Sequence, residues 1–189
     1  MSRHEWRVWL QTVGAVFIPV VIIASSSHAS VGQAPPGQAE PPPLRGITKV
    51  TTLVAVALPE GKARPFDLTE DRLRTILELR LRTAGLLVLS DDEDRADPHI
   101  NPYVYLSVTV LEASSRSGAR TGYVFSTDLS VRIFQRVTLN GSMAASELWK
   151  GGLLNITDTE GITPDLERVV GLLLDQLLNE WLAANPPRR

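Results

Sequence analysis

The chain has 189 residues, a formal net charge of −2 and no cysteine. That near-neutral balance offers nucleic acid or an anionic membrane surface no basic footprint to bind. The missing thiols exclude disulfides, zinc–thiolate centres, cysteine nucleophiles and the lipid-bearing cysteine of a bacterial lipoprotein.

The amino terminus has the layout of an export signal. Arg3 and Arg7 make a positive start, offset by Glu5, and Val13 to Ala24 then run without a strongly polar side chain. That run has the length of a signal h-region and falls short of the about 20 apolar residues that span a bilayer. Ser27-His28-Ala29 places small residues before a cut at Ser30. Residues 1–29 are therefore expected to be a signal peptide. The alternative is an uncleaved anchor over residues 8–24, with the rest of the chain outside the cytoplasm. Removal of residues 1–29 takes two Arg and one Glu, moving the charge from −2 to −3. Residues 30–46, with Pro35, Pro36, Pro41, Pro42 and Pro43 among Gln, Gly and Ala, read as a flexible linker. Residues 47–189 are expected to form one α/β domain, long enough to bury a core.

KVTTLVAVAL (49–58) opens that domain as a strand rich in Val, Thr and Leu, with the unbroken apolar character of a strand covered on both faces. PEGKARP breaks it, and Asp67 with Glu70 supplies a helix cap. The following helix places Leu73, Ile76, Leu77, Leu81 and Ala84 on one side and ends at Gly85. LLVLS is a short second strand, and the polar, proline-bounded residues 90–102 read as a loop.

YVYLSVTVL then alternates, with Val104, Leu106, Val108 and Val110 on one face and Tyr103, Tyr105, Ser107 and Thr109 on the other. YVFSTDLSVRIFQRVTL repeats the pattern: Tyr123, Phe125, Leu129, Val131 and Ile133 oppose Ser126, Asp128, Ser130 and Arg132. Such alternation fits an antiparallel sheet with one covered and one wet face. Asn140-Gly141 turns the chain into ASELWKGGLLNIT, a strand whose Gly151 and Gly152 point to a bulge or a close approach. Thr163 and Pro164 start the last helix, and Leu166, Val169, Val170, Leu173, Leu174, Leu177, Leu178, Trp181 and Leu182 form its apolar stripe. The fold class that follows is α+β, ordered β-α-β-β-β-β-α, with two helices on one face of a mixed, mostly antiparallel sheet.

Chemistry is sparse. Beyond the leader the only histidine is His99, in a polar loop, and a Ser114-His99-Asp128 triad has no nucleophile-elbow context. The acidic run Asp91, Asp92, Glu93, Asp94 and Asp97 has the oxygen-rich character of a calcium loop, but Ala96 and Pro102 stand where such a loop needs Gly and Glu. Asp128 and Arg132 share a strand face and are spaced to pair, and Arg116 and Arg120 sit in a hairpin loop. No phosphate-cradling motif occurs. No catalytic, cofactor-binding or metal-binding residue is nominated, and no cofactor is expected.

TEDRLRTILELRLRTAGLLVLSDDE, YVYLSVTVL and LERVVGLLLDQLLNEWLAANP, in that order, resemble small exported bacterial α/β proteins. In build these are similar to the amino-terminal domain of TolB and to outer-membrane auxiliary proteins. The resemblance is one of pattern and carries no site residue. The function expected from these observations is that of an exported, non-catalytic envelope protein acting as an interaction or assembly module, periplasmic or secreted, with another envelope protein as partner. The alternatives are a small-molecule or lipid carrier and a hydrolase working through Asp128 or the acidic loop.

Overall fold

A computed structural model describes residues 42–58, 69–136, 141–158 and 161–186. The chain divides into two units, Met1–Glu40 and Pro41–Arg189, and every described residue belongs to the second. Residues 1–29, expected to be a signal peptide, and most of the expected linker lie outside the described residues.

The elements run β1 (Lys49–Ala57), α1 (Glu70–Thr83), β2 (Leu87–Val88), α2 (Asp91–Ala96), β3 (Tyr103–Ser114), β4 (Arg120–Arg136), β5 (Met143–Thr157) and α3 (Ile162–Ala184). The five strands form one sheet in the order β2-β1-β3-β4-β5. β1 pairs in parallel with β2 and β3, and the β3–β4 and β4–β5 pairs are antiparallel. The expected α+β class, with a mixed sheet and two long helices, is what the chain adopts.

Both long helices pack on the same side. Leu73, Leu77 and Leu81 of α1 are fully buried, as are Leu166, Val170 and Leu174 of α3. They meet Val104, Leu106, Val108 and Val110 of β3 and Tyr123, Phe125, Leu129 and Val131 of β4 in one continuous core. Removing this many large side chains from water is the main driving force of the fold. Two ion pairs cross between the helices, Arg72–Glu167 at 2.6 Å and Arg80–Asp175 at 2.9 Å. Both pairs step eight residues along α1 and eight along α3 in the same sense, so the helices run parallel. The pairs are exposed enough to fix alignment more than to add stability.

Several expectations are corrected. Thr69, not Asp67, caps α1: its hydroxyl accepts from the Arg72 amide, while Asp67 lies outside the described residues. Gly85 does end that helix, at a φ of 99°. Residues 91–96 are a short helix inside the expected loop, held by a capping box between Ser90 and Glu93. Helix α3 starts at Ile162 after Gly161, so Thr163 is not its cap. β1 is covered on one face only: Val50 and Val54 are buried, whereas Leu53 and Ala57 on the other face are exposed. Leu44, assigned to the linker by composition, is buried in the core.

The end of α3 holds that entering segment. The Asn185 side-chain oxygen accepts from the Gly46 amide at 2.7 Å, and its amide nitrogen donates to the Leu44 and Trp181 carbonyls, both at 2.9 Å. Trp181 Nε1 donates to the Ile47 carbonyl at 2.8 Å. The last turn of the last helix thus aligns the chain that becomes β1. Asn185→Ala removes three hydrogen bonds and is expected to lower the unfolding free energy by about 1–3 kcal/mol in denaturant titration. Trp181→Phe, which keeps an aromatic ring but loses the indole N–H and part of its bulk, is expected to cost about 1–2 kcal/mol.

Candidate functional site

With both helices on one side, the other face of the sheet is bare among the described residues, and the strand registers lay out its surface. Nearest the start of β3, Thr51, Tyr103, Arg132 and Glu147 lie in a row across four strands. Arg132 reaches Glu147 at 3.4 Å and holds its guanidinium 5.2 Å from the centre of the Tyr105 ring. Tyr103 stacks on Phe134 with ring centres 5.2 Å apart. Aromatic faces and a paired guanidinium make this end amphipathic.

The middle of the face is polar. Ser107, Asp128 and Gly152 form one cross-strand row, and Tyr105, Ser130 and Lys150 the row before it. Asp128 accepts from the Ser126 hydroxyl at 3.2 Å. A Cβ on Gly152 would stand 2.8 Å from the Asp128 carboxylate, so the glycine makes room for it. The expected Asp128–Arg132 pair does not form, because Arg132 turns to Glu147 and the Tyr105 ring instead.

The far end is apolar. Leu111, Val124 and Ile156 are aligned across β3, β4 and β5, with Leu154 one step along β5. Ile156 is 71% exposed, Leu111 60% and Leu154 58%. These side chains occupy wet-face positions in otherwise alternating strands. An apolar residue breaking the polar half of the alternation is the trace this surface leaves in the sequence, and strand register is what brings its members together. Contiguous exposed apolar groups of this kind mark interaction surfaces.

Gly151, on the covered face, has a different task from Gly152. A Cβ there would meet the Trp149 ring at 2.8 Å and Leu173 at 3.2 Å. Just before it, Val131 pairs with Trp149 and Arg132 with Glu147, leaving Leu148 as the extra residue of a bulge. The glycine pair therefore reflects both a neighbouring bulge and close packing.

The chemistry weighed from sequence is not assembled. His99 precedes the start of β3, Ser114 lies at its end, and Asp128 faces Ser107 in its middle. Arg116 is exposed in the β3–β4 turn. Among the described residues no cluster of His, Asp and Glu could hold a metal ion. Four acids of the run are committed to other contacts: Asp92 pairs with Arg95, Glu93 caps Ser90, Asp94 accepts from Asn101, and Asp97 pairs with Lys49 at 2.8 Å. The amide and hydroxyl of Ser90 hold the Glu93 carboxyl below its ordinary range. The Lys49 ammonium, helped by the His99 amide, brings Asp97 from 3.8 down to about 2. Asp165, in the first turn of α3, is lowered by the Thr157 hydroxyl and then by Arg168. Each of these acids serves a helix end or a strand-to-loop tie.

Two predictions follow from these contacts. Gly151→Ala must push a packed indole and is expected to cost about 1–3 kcal/mol, while Gly152→Ala displaces only a flexible carboxylate and costs less; thermal unfolding of the two variants measures the order. Because the folded-state value of Asp97 lies below its ordinary one, its contribution is present above about pH 4 and is lost as pH falls through about 2. The stability gap between the natural chain and Asp97→Asn should hold from pH 7 to 5 and close between about pH 4 and 2.

No protein-family model and no characterised protein matches the sequence. The structure aligns with solved proteins at low identity. One is the PelC dodecamer from Paraburkholderia phytofirmans, 15% identical, with a TM-score of 0.38 over 76% of this chain and 93% of that one. Another is a lipoprotein from Neisseria meningitidis, 14% identical, with a TM-score of 0.36 over 70% and 99%. A third is a minor lipoprotein from Acinetobacter baumannii, 12% identical, with a TM-score of 0.31 over 73% and 93%. None of the three is a TolB domain, and no residue role is carried over from them. The solved structures that this chain is similar to thus include bacterial lipoproteins, although it has no cysteine of its own to carry a lipid.

Proposed function

We propose that this is an exported, non-catalytic protein of the bacterial envelope that binds another protein through the open face of its sheet. One observation carries the reading: a sheet whose helices both lie on one side leaves a face with an apolar end at Leu111, Val124, Leu154 and Ile156. A stacked aromatic pair and a paired guanidinium stand at the other end of that face. An aromatic anchor, an apolar patch and a polar strip between them are the makings of a protein interface. The leader supports export, and among the described residues no helix is long and apolar enough to cross a membrane.

A carrier needs a chamber between sheet and helices. That layer is filled by fully buried side chains, among them Tyr123, Phe125, Leu106, Leu129 and Leu174. A hydrolase working through Asp128 or the acidic loop needs acids free for chemistry, whereas Asp128 accepts from the Ser126 hydroxyl and Asp92, Glu93, Asp94 and Asp97 are held by Arg95, Ser90, Asn101 and Lys49.

The test uses photo-crosslinkable residues in the full chain in living cells. Probes at Leu111 and Ile156 are expected to give a discrete heavier adduct with a second protein. A probe at Leu79, 63% exposed on α1, serves as the control and is expected to give none. Ile156→Asp should abolish the adduct formed through Leu111 while changing stability by no more than about 0.5 kcal/mol, as exposed substitutions do. Equal labelling from both sides of the domain, or none from the open face, contradicts the reading.

A further inference from the structure

The two edges of the sheet are unequal. β2 is two residues long and offers little backbone, whereas β5 is fifteen residues long and has no described neighbour beyond it. A long edge strand exposes every second N–H and C=O, and proteins shield such edges with proline, bulges or charge. β5 contains no proline, and its charges are Glu147 and Lys150. The backbone N–H of Ile156 finds only local cover, donating to the side chain of Asn155 at 2.9 Å.

The bulge at Leu148 has a geometric consequence. In an unbroken strand, antiparallel self-pairing joins residues an even number apart, because only those share a face. The extra residue shifts this parity for pairs that straddle it. Glu147 and Lys150 both lie on the open face, opposite Arg132 and Ser130. Leu148 and Trp149 both pack toward the helices. Moving outward, Ser146 and Gly151 share the covered face, Ala145 and Gly152 the open one, and Met143 and Leu154 the open one again. A two-fold axis midway between Leu148 and Trp149 therefore maps each residue from Met143 to Leu154 onto one of like facing.

In that register charge is complementary as well. Glu147 of one copy stands opposite Lys150 of the other, twice per pair, and the exposed side chains of Met143 and Leu154 meet, also twice. Among the described residues Lys150 has no charged partner within its own copy, and in this register the second copy offers one.

We propose that β5 pairs antiparallel with β5 of a second copy of this chain about that axis, extending the sheet across two molecules. This uses the edge of the sheet rather than its open face and stands apart from the partner proposed above. The pairing leaves both open faces on the same side of the joined sheet; Leu154 of each patch borders the seam, while Leu111 and Val124, on β3 and β4, lie clear of it.

The cysteine-free background makes the test direct. Full chains carrying Glu147→Cys and Lys150→Cys are produced separately and together, then oxidised with copper phenanthroline. The mixed pair is expected to give a disulfide-linked dimer on a non-reducing gel, and each variant alone is expected to give none, since its thiols lie several residues apart across the axis. In the chain without added cysteine, Lys150→Glu sets Glu against Glu twice and should raise the dimer dissociation constant about tenfold by analytical ultracentrifugation. Adding Glu147→Lys to it should restore the affinity. A monomer at all concentrations, a mixed pair that fails to cross-link, or a Leu154→Cys chain that cross-links to itself overturns the proposal; the last result would reveal a different register.

Discussion

Everything in this structure depends on the apolar stripe of α3 lying beside that of α1 on a single side of the sheet. Leu166, Val170, Leu173, Leu174 and Leu177 complete the layer begun by Leu73, Leu77 and Leu81, and neither helix alone covers four strands. The parallel setting of the two helices follows from topology: β1 and β3 run the same way, β4 reverses, and β5 reverses again. Each helix therefore descends after an ascending strand. Arg72–Glu167 and Arg80–Asp175 then lock the axial register of two surfaces whose attraction is otherwise non-directional.

Among the described residues, that arrangement uses both long amphipathic helices. A second layer on the opposite face would need another amphipathic helix, and α2, six residues with none buried, cannot supply it. The bare face is thus a consequence of where the helices go, and its side chains are free to be chosen for contact. The polar strip around Asp128 keeps the centre of the face wet, while apolar side chains gather toward one end. The same economy leaves β5 without a described neighbour beyond it. The fold answers its two edges differently: β2 is cut short, and β5 has a bulge and a pair of opposite charges.

Much of this was legible in the sequence, and the failures have identifiable causes. The stripes of α1 and α3 repeat at helical spacing over many turns, so their buried residues could be named one by one. The alternation of β3 and β4 was equally plain, because polar and apolar residues exchange places without interruption from Tyr103 to Val110. β1 misled for a physical reason: KVTTLVAVA is apolar on both sides, and a strand with Leu53 bare in solvent has the composition of one that is buried twice. The helix α2 is too short for any periodicity, although the Ser90–Glu93 capping pair was present. The start of α1 slipped by two residues because Asp67 and Thr69 are both good caps by type, and it is the Thr69 hydroxyl that meets the Arg72 amide. The fixing of Leu44 by Asn185 joins residues 141 places apart, which no local pattern encodes. The site was the least visible part. Its elements are ordinary wet-face residues, and only strand register places Leu111, Val124 and Ile156 in one line.

The central claim is that one face of this sheet stands open in the isolated chain and is covered where the protein works. Thiol-labelling rates of single-cysteine variants measure this most directly, since the natural chain contributes no background. A thiol at Ile156→Cys should react as fast as an unfolded control in the purified chain and at least about tenfold more slowly in intact cells, while one at Val108→Cys should stay protected until the domain unfolds. Protection at position 156 in the purified chain, or equal rates in the two settings, would contradict the account.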